Sequence, residues 1–198
     1  VKGLDAKGLV FLYAVPWPAQ GLYSKKEINS IADLKGLKFR AYNSATIRIA
    51  ELTGMAPTKI EAAEISQAFS TGAVESMITS PTTGKNSKIW ENGVGYFYDI
   101  AAWFPKNMVI VNKDAWNKLD AETQKLVMSE AAKAEKKGWA LSKKGNKLDK
   151  KALSDAGMKV GKVNSALEKH FQKVGATMAD EWKAKAGSRG ASVLAAYK

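Results

Sequence analysis

The chain has 198 residues, 45% of them apolar, and a formal net charge of +12; that length can bury one sizeable core or two small ones. It contains no cysteine and one histidine, His170, which excludes disulfides, thiolate metal sites and cysteine nucleophiles and makes a histidine triad or a multi-histidine metal site hard to build. Nowhere do the ~18 consecutive apolar residues of a membrane span occur, and residues 1–18 lack the charged start, long apolar run and small-residue cleavage site of a secretion signal.

Residues 8–15, GLVFLYAV, form a continuous apolar run that predicts a buried strand, stopped by Pro16, Trp17 and Pro18. Trp17 and Tyr23 read either as core aromatics or as walls of a pocket. Ser30 is a plausible cap for a short helical turn leading to Asp33. Residues 33–43, DLKGLKFRAYN, then close a polar turn on Gly36 and open a strand over 37–42 with a guanidinium in its middle, at Arg40. Two readings fit that placement. Either Lys38 and Arg40 share the solvated face of an edge strand, or Arg40 is a buried donor awaiting a carboxylate, for which its planar fork is suited.

Beyond it, Asn43 or Ser44 caps a helix that carries Ile47, Ala50 and Leu52 and ends at Gly54. Residues 57–60 predict a short strand, 61–71 a second helix ended by Gly72, and 74–79 another strand broken by Pro81. Strand, helix, strand, helix, strand implies a parallel sheet with right-handed crossovers and a ligand site beyond the carboxyl ends of the strands, where Arg40, Thr79 and Ser80 fall. The Thr79 and Ser80 hydroxyls can donate to a ligand or simply cap the strand end.

Residues 81–92 predict a loop and short helix, 96–104 an aromatic segment ended by Pro105, 107–112 a strand and 113–119 a short helix. A long helix follows from 120 to 155, with lysines at 125, 133, 136, 137, 143, 144, 147, 150 and 151; Gly138 and Gly145 are expected to weaken or bend it. The charge is uneven: +3 over residues 1–112 and +9 over 113–198. The lysine run is either a phosphate-binding surface or a helix whose lysines face water, and its lack of arginines and interleaved aromatics favours the second. A basic field of this kind would draw anionic solutes and suit an acidic partner. Residues 156–160 predict a strand, 165–186 a helix capped by Ser165 and ended at Gly187, and 188–197 a terminal helix. His170 is expected on that helix without chemistry. No glycine-rich phosphate loop follows a strand.

The run DLKGLKFR, then AYN, TGMAPT, AEISQAFSTGAVES and the following Ser80-Pro81 resembles the solute-binding proteins of TRAP transporters, the DctP family. The likeness continues through 107–116 and 182–197. The resemblance implies an α/β fold of the two-lobed periplasmic-binding-protein type, of which this chain would supply the C-terminal two-thirds. Residues 1–16 would carry a strand from the first lobe into the hinge, 17–104 the second lobe with the main ligand anchor, 105–145 the return to the first lobe and the connecting helix, and 146–198 the completion of the second lobe with the C-terminal helices.

The family's arginine on this strand pairs with the carboxylate of an organic acid, which implies that role for Arg40. Thr79, Ser80 and Asn43 would be polar partners, Thr79 standing where an asparagine often bonds the substrate, and Tyr42, Trp17 and Trp103 the walls. Trp103, Phe104 and Asn107 would lie at the mouth. A second arginine commonly precedes the KKxI turn, here 25–28; its place falls at Gln20, so a ligand with one carboxylate fits better. Ala62 and Ala63 stand where some members present an aromatic ring. The expected function is capture of a small organic acid in an interlobe cleft of a periplasmic receptor, with hinge closure and delivery to the membrane permease subunits of a TRAP transporter. No cofactor, no catalysis and no nucleic acid are expected. An uncovered apolar lobe interface would favour self-association. Two alternatives stand beside this reading: a nucleic-acid or polyanion-binding basic module, and an enzyme on an acidic substrate using Glu64 or Glu75 as base.

Overall fold

The computed structural model describes residues 2–196. In chain order the elements are α1 (Lys2–Asp5), β1 (Leu9–Pro16), β2 (Gly21–Ser24), β3 (Lys38–Ala41), α2 (Ser44–Thr53), β4 (Ala56–Lys59), α3 (Ile65–Ser70), β5 (Ser76–Thr79), α4 (Pro81–Asn86), β6 (Tyr96–Tyr98), β7 (Lys106–Asn112), α5 (Lys113–Trp116), α6 (Ala121–Asp155), β8 (Lys159–Gly161) and α7 (Ser165–Ala196). The strands form two sheets. One is the antiparallel pair β1–β7, and the other has six strands in the order β4-β3-β5-β2-β6-β8.

The expected parallel arrangement holds for β4, β3 and β5, joined through α2 and α3. The sheet as a whole is mixed, because β2 runs antiparallel to both β5 and β6 while β6 and β8 are parallel. Strand β2 from before the βαβ run and β6 and β8 from after it thus complete a sheet whose order that run alone could not fix. Alternation splits the core over two faces. Leu22, Phe39, Ala41, Ile78 and Tyr98 pack with Ile49, Leu167 and Val174 from α2 and α7. Tyr23, Met77 and Phe97 turn the other way and pack with Ile65, Phe69 and Leu153 from α3 and α6.

Local chemistry sets the element ends. Asn43 caps α2, its Oδ1 accepting from the Thr46 N–H at 2.9 Å, and Gly54 closes it at φ 75°. The segment expected as one helix over 61–71 is a 3₁₀ turn, Ala62–Glu64, followed by the shorter α3. The cap expected at Ser165 is supplied by Asn164, whose Oδ1 accepts from the Ala166 and Leu167 N–H groups. Gly187, at φ 59° and ψ −146°, breaks α7 as its position at the end of the 165–186 helix implies; Tyr197, assigned to the terminal helix, lies outside the described residues.

Two expectations change at α6. Strand β1 is half-buried rather than buried, with only Ala14 enclosed, because it pairs with β7 alone and is covered by α6. The helix grips β1 at Ala14: Glu135 Oε1 accepts its N–H at 3.1 Å and Trp139 Nε1 donates to its carbonyl at 3.0 Å. Gly138 lies between them and marks a close approach, not a bend. A Cβ there would stand 2.5 Å from Val15 Cγ2, and α6 runs unbroken from Ala121 to Asp155. Farther along, the buried Asp149 carboxylate accepts from Thr82 Oγ1 at 2.6 Å and pairs with Lys85 Nζ at 2.8 Å, tying α6 to α4.

Two stability measurements test this packing. Gly138→Ala should lower stability by about 1–2 kcal/mol in urea denaturation, although alanine is the better helix former by ~1 kcal/mol; a gain would mean that the glycine is only a weak point in the helix. Lys85→Met strands a buried carboxylate and should cost ~3 kcal/mol, whereas Asp149→Asn removes that charge and should cost only ~1–2 kcal/mol. The reverse order would show that water already compensates Asp149.

Candidate functional site

All the parallel strands end at one edge of the six-stranded sheet, so Tyr42, Ile60, Ser80, Asp99 and Lys162 gather there. Arg40 sits one residue below that edge on β3 with 4% of its surface exposed. Its Nε donates to the Ile60 carbonyl at 2.9 Å, and its Cζ lies 4.6 Å from the centre of the Tyr42 ring. No carboxylate pairs with it among the described residues; burial pushes its pKa down, and the neighbouring Tyr42 and Glu61 push it up. The arrangement holds a cation by a carbonyl and an aromatic face while leaving its fork without a protein counter-ion.

A cavity of about 950 Å³ opens at this edge. Tyr42, Asn43 and Trp103 line it, together with residues 99–102, Ala45 and Ile49 from the start of α2, and Phe171, Gly175 and Met178 from α7. Burial raises the Tyr42 pKa, opposed by a hydrogen bond with the Trp103 side chain and by Arg40. The Tyr42 ring thus lies against the Arg40 guanidinium while its hydroxyl meets the Trp103 side chain.

Arg40 itself is not among the residues that line this cavity, and the remaining expected site residues fall into two groups that do not line it either. Thr79, Ser80 and Gln20 are buried at the sheet edge. Thr79 pairs with Gly21 across the β5–β2 ladder. The Ser80 hydroxyl caps α4, accepting from the Thr83 N–H at 3.0 Å, and its carbonyl accepts from Tyr23 Oη. Gln20 turns its amide onto the Pro18 carbonyl at 2.8 Å, while its backbone bonds Trp103 O and Ala102 N. Trp17 and Asn107 form the second group, joined by an indole N–H to amide bond of 3.0 Å where the chain enters and leaves the small sheet. Asn43 belongs to the cavity wall, but its side chain is engaged as the α2 cap.

The sequence reading missed Asp99 and the α7 wall. Asp99 lines the cavity and is held by Lys150 of α6. A carboxylate directly after the aromatic run YFY, at a strand's carboxyl end, is the signal that could have marked it. The contribution of Phe171 and Met178 carries no such signal, since apolar residues on an amphipathic helix look the same whether they face core or cavity. Ala101 adopts φ 45°, rare for a residue with a Cβ, and turns the chain from β6 toward Trp103. His170 is partly buried beside Phe171, its Nε2 without a partner among the described residues. Among the described residues no group of three or more His, Asp or Glu side chains is placed to hold a metal, and no helix is long and apolar enough to cross a membrane.

Comparison with known proteins places this geometry. Over 99% of its length the chain superposes at a TM-score of 0.95 on DctP7 of Bordetella pertussis, an extracytoplasmic solute receptor binding pyroglutamic acid, with 42% identity and 65% of that chain covered. A marine metagenome TRAP solute-binding protein specific for pyroglutamate matches at a TM-score of 0.95 and 39% identity, over 99% of this chain and 64% of its own. Among curated proteins, a solute-binding protein of Albidiferax ferrireducens is 27% identical over 91% of this chain and 53% of its own length. The sialic acid-binding periplasmic protein SiaP of Vibrio cholerae is 32% identical over 54% of this chain and 33% of its own. The chain thus spans about half or less of the curated relatives it matches and about two-thirds of the solved ones. The model of the bacterial extracellular solute-binding proteins of family 7 matches residues 3–185, and the chain belongs to that family, DctP.

Proposed function

We propose that the chain provides the anchoring lobe of a periplasmic receptor that captures a small organic acid bearing one carboxylate and hands it to the membrane subunits of a TRAP-type transporter. The observation that carries the proposal is Arg40: a guanidinium buried at the carboxyl edge of the sheet, oriented by Ile60 and Tyr42, with no protein carboxylate paired to it among the described residues. A ligand carboxylate would complete it bidentately. Gln20, folded onto Pro18, adds no second fixed cation, which favours one carboxylate over two. Thr79 and Ser80 lie at the same sheet edge, the Ser80 hydroxyl engaged as the α4 cap, while Tyr42 and Trp103 supply an aromatic wall and the Trp17–Asn107 pair stands at the crossing to the small sheet.

Pyroglutamate is the leading candidate. Two receptors about 40% identical to this chain are described as binding it, and its single carboxylate and compact, partly apolar lactam ring suit one guanidinium beside an aromatic wall. The protein acts by binding and conformational closure rather than by catalysis: a ligand that touches both sides of the cleft stabilises the closed state by its differential affinity. Neither base of the enzyme alternative is paired with Arg40: Glu64 lies in the exposed 3₁₀ turn and Glu75 reaches toward Lys26. The nucleic-acid alternative gains no support from the site or the family.

Calorimetric titration of pyroglutamate tests the proposal. Arg40→Ala should weaken binding by about 3–5 kcal/mol, because the bound carboxylate would be left desolvated and unpaired; unchanged affinity would remove Arg40 from the site. In the same titration succinate should bind at least ~10-fold more weakly than pyroglutamate, its second carboxylate lacking a fixed partner. Tighter binding of the dicarboxylate would overturn the single-anchor reading.

A further inference from the structure

The small-acid site makes no use of the lysines of α6, and the structure arranges them. With ~100° of rotation per residue, Lys125, Lys133, Lys136, Lys137, Lys143, Lys144 and Lys147 fall within about one third of the helix circumference. That third is opposite the side that carries Ala131, Glu135 and Asp149 into the protein. All seven are exposed. Lys133 pairs with Glu130, while among the described residues the other six have no ion pair or hydrogen bond to a carboxylate. The result is a stripe ~33 Å long on an unbroken, 35-residue helix. Leu126 lies within it and Leu148 and Leu141 along one flank, 61%, 51% and 57% exposed.

We propose that this face of α6 docks on an anionic phospholipid surface, laying the helix parallel to the bilayer. Three features favour lipid over an acidic protein partner. The cations are all lysines, compact point charges suited to a diffuse field of phosphates rather than to bidentate pairing with particular carboxylates. Protein interfaces are depleted of lysine and draw their energy from tyrosine, tryptophan and arginine; the stripe has none of these, Trp139 lying outside it with its indole N–H on the Ala14 carbonyl. The three leucines can enter the headgroup boundary while the lysine stems extend alongside them. Such contact would concentrate a receptor at the surface where its transporter resides.

Flotation with phosphatidylethanolamine vesicles containing phosphatidylglycerol, beside phosphatidylcholine vesicles, reads the effect directly. The protein should float with the anionic vesicles at low salt, stay behind with the neutral ones, and be released as salt approaches ~0.5 M. The quadruple variant K136Q/K143Q/K144Q/K147Q should lose about fivefold in partitioning per lysine, several hundredfold in all, with its melting temperature unchanged because none of the four touches the core. Equal partitioning of the variant, or no flotation of the wild type, would overturn the proposal. Retention of the wild type on polyglutamate without vesicle binding would reassign the stripe to an acidic protein and overturn it as well. Pyroglutamate affinity, measured without vesicles, should be the same for both proteins.

Discussion

A buried guanidinium without a buried carboxylate is the constraint around which the rest of this protein is arranged. Taking Arg40 out of water carries a desolvation cost of several kcal/mol, which the Ile60 carbonyl and the Tyr42 ring offset only in part. The lobe tolerates the imbalance because Arg40 lies at the sheet edge, one residue short of solvent, and not in either core cluster. Under the proposed function, an anion arriving at that edge would gain what the fold has left unpaired.

The sheet is built to hold that edge still. Strand β3 is locked between β4 and β5, with Phe39 and Ala41 buried on one face and Arg40 directed to the other. The central antiparallel strand β2 lets the chain enter the lobe at the ligand edge, so that Gln20 and residues 102–103 meet there and pair through their backbones. The αL turn at Ala101 is what makes that meeting possible. Its strain sits in the segment between β6 and β7, the place where the chain passes from the large sheet to the small one, and Trp103 in that segment reaches the Tyr42 hydroxyl.

Helix α6 joins the two sheets by unlike means. At β1 it uses close packing across Gly138 and two side-chain bonds to the Ala14 backbone. At the large sheet it buries Leu153 in the core and adds charge: consecutive residues Asp149 and Lys150 reach α4 and Asp99, the latter on the cavity wall. Its outer face contributes to neither, and there the excess positive charge of the chain collects.

What the sequence by itself determined is local. Caps and glycine stops around α2, the break at Gly187, the βαβ alternation from β3 to β5 and the conspicuous Arg40 all follow from short-range chemistry, as does the family likeness that those residues carry. Tertiary structure alone decided the rest. The antiparallel β2 depends on pairing between segments more than fifty residues apart; Gly138 serves close packing only because Val15 lies opposite it; β1 is half-exposed because of what covers it, not because of its own composition. The same holds for the cavity, where Asp99 and the α7 wall join Tyr42 and Trp103 across a span that no local pattern records. Hydrogen-bond register and side-chain burial are properties of pairs distant in the chain, whereas propensity and periodicity describe each segment alone.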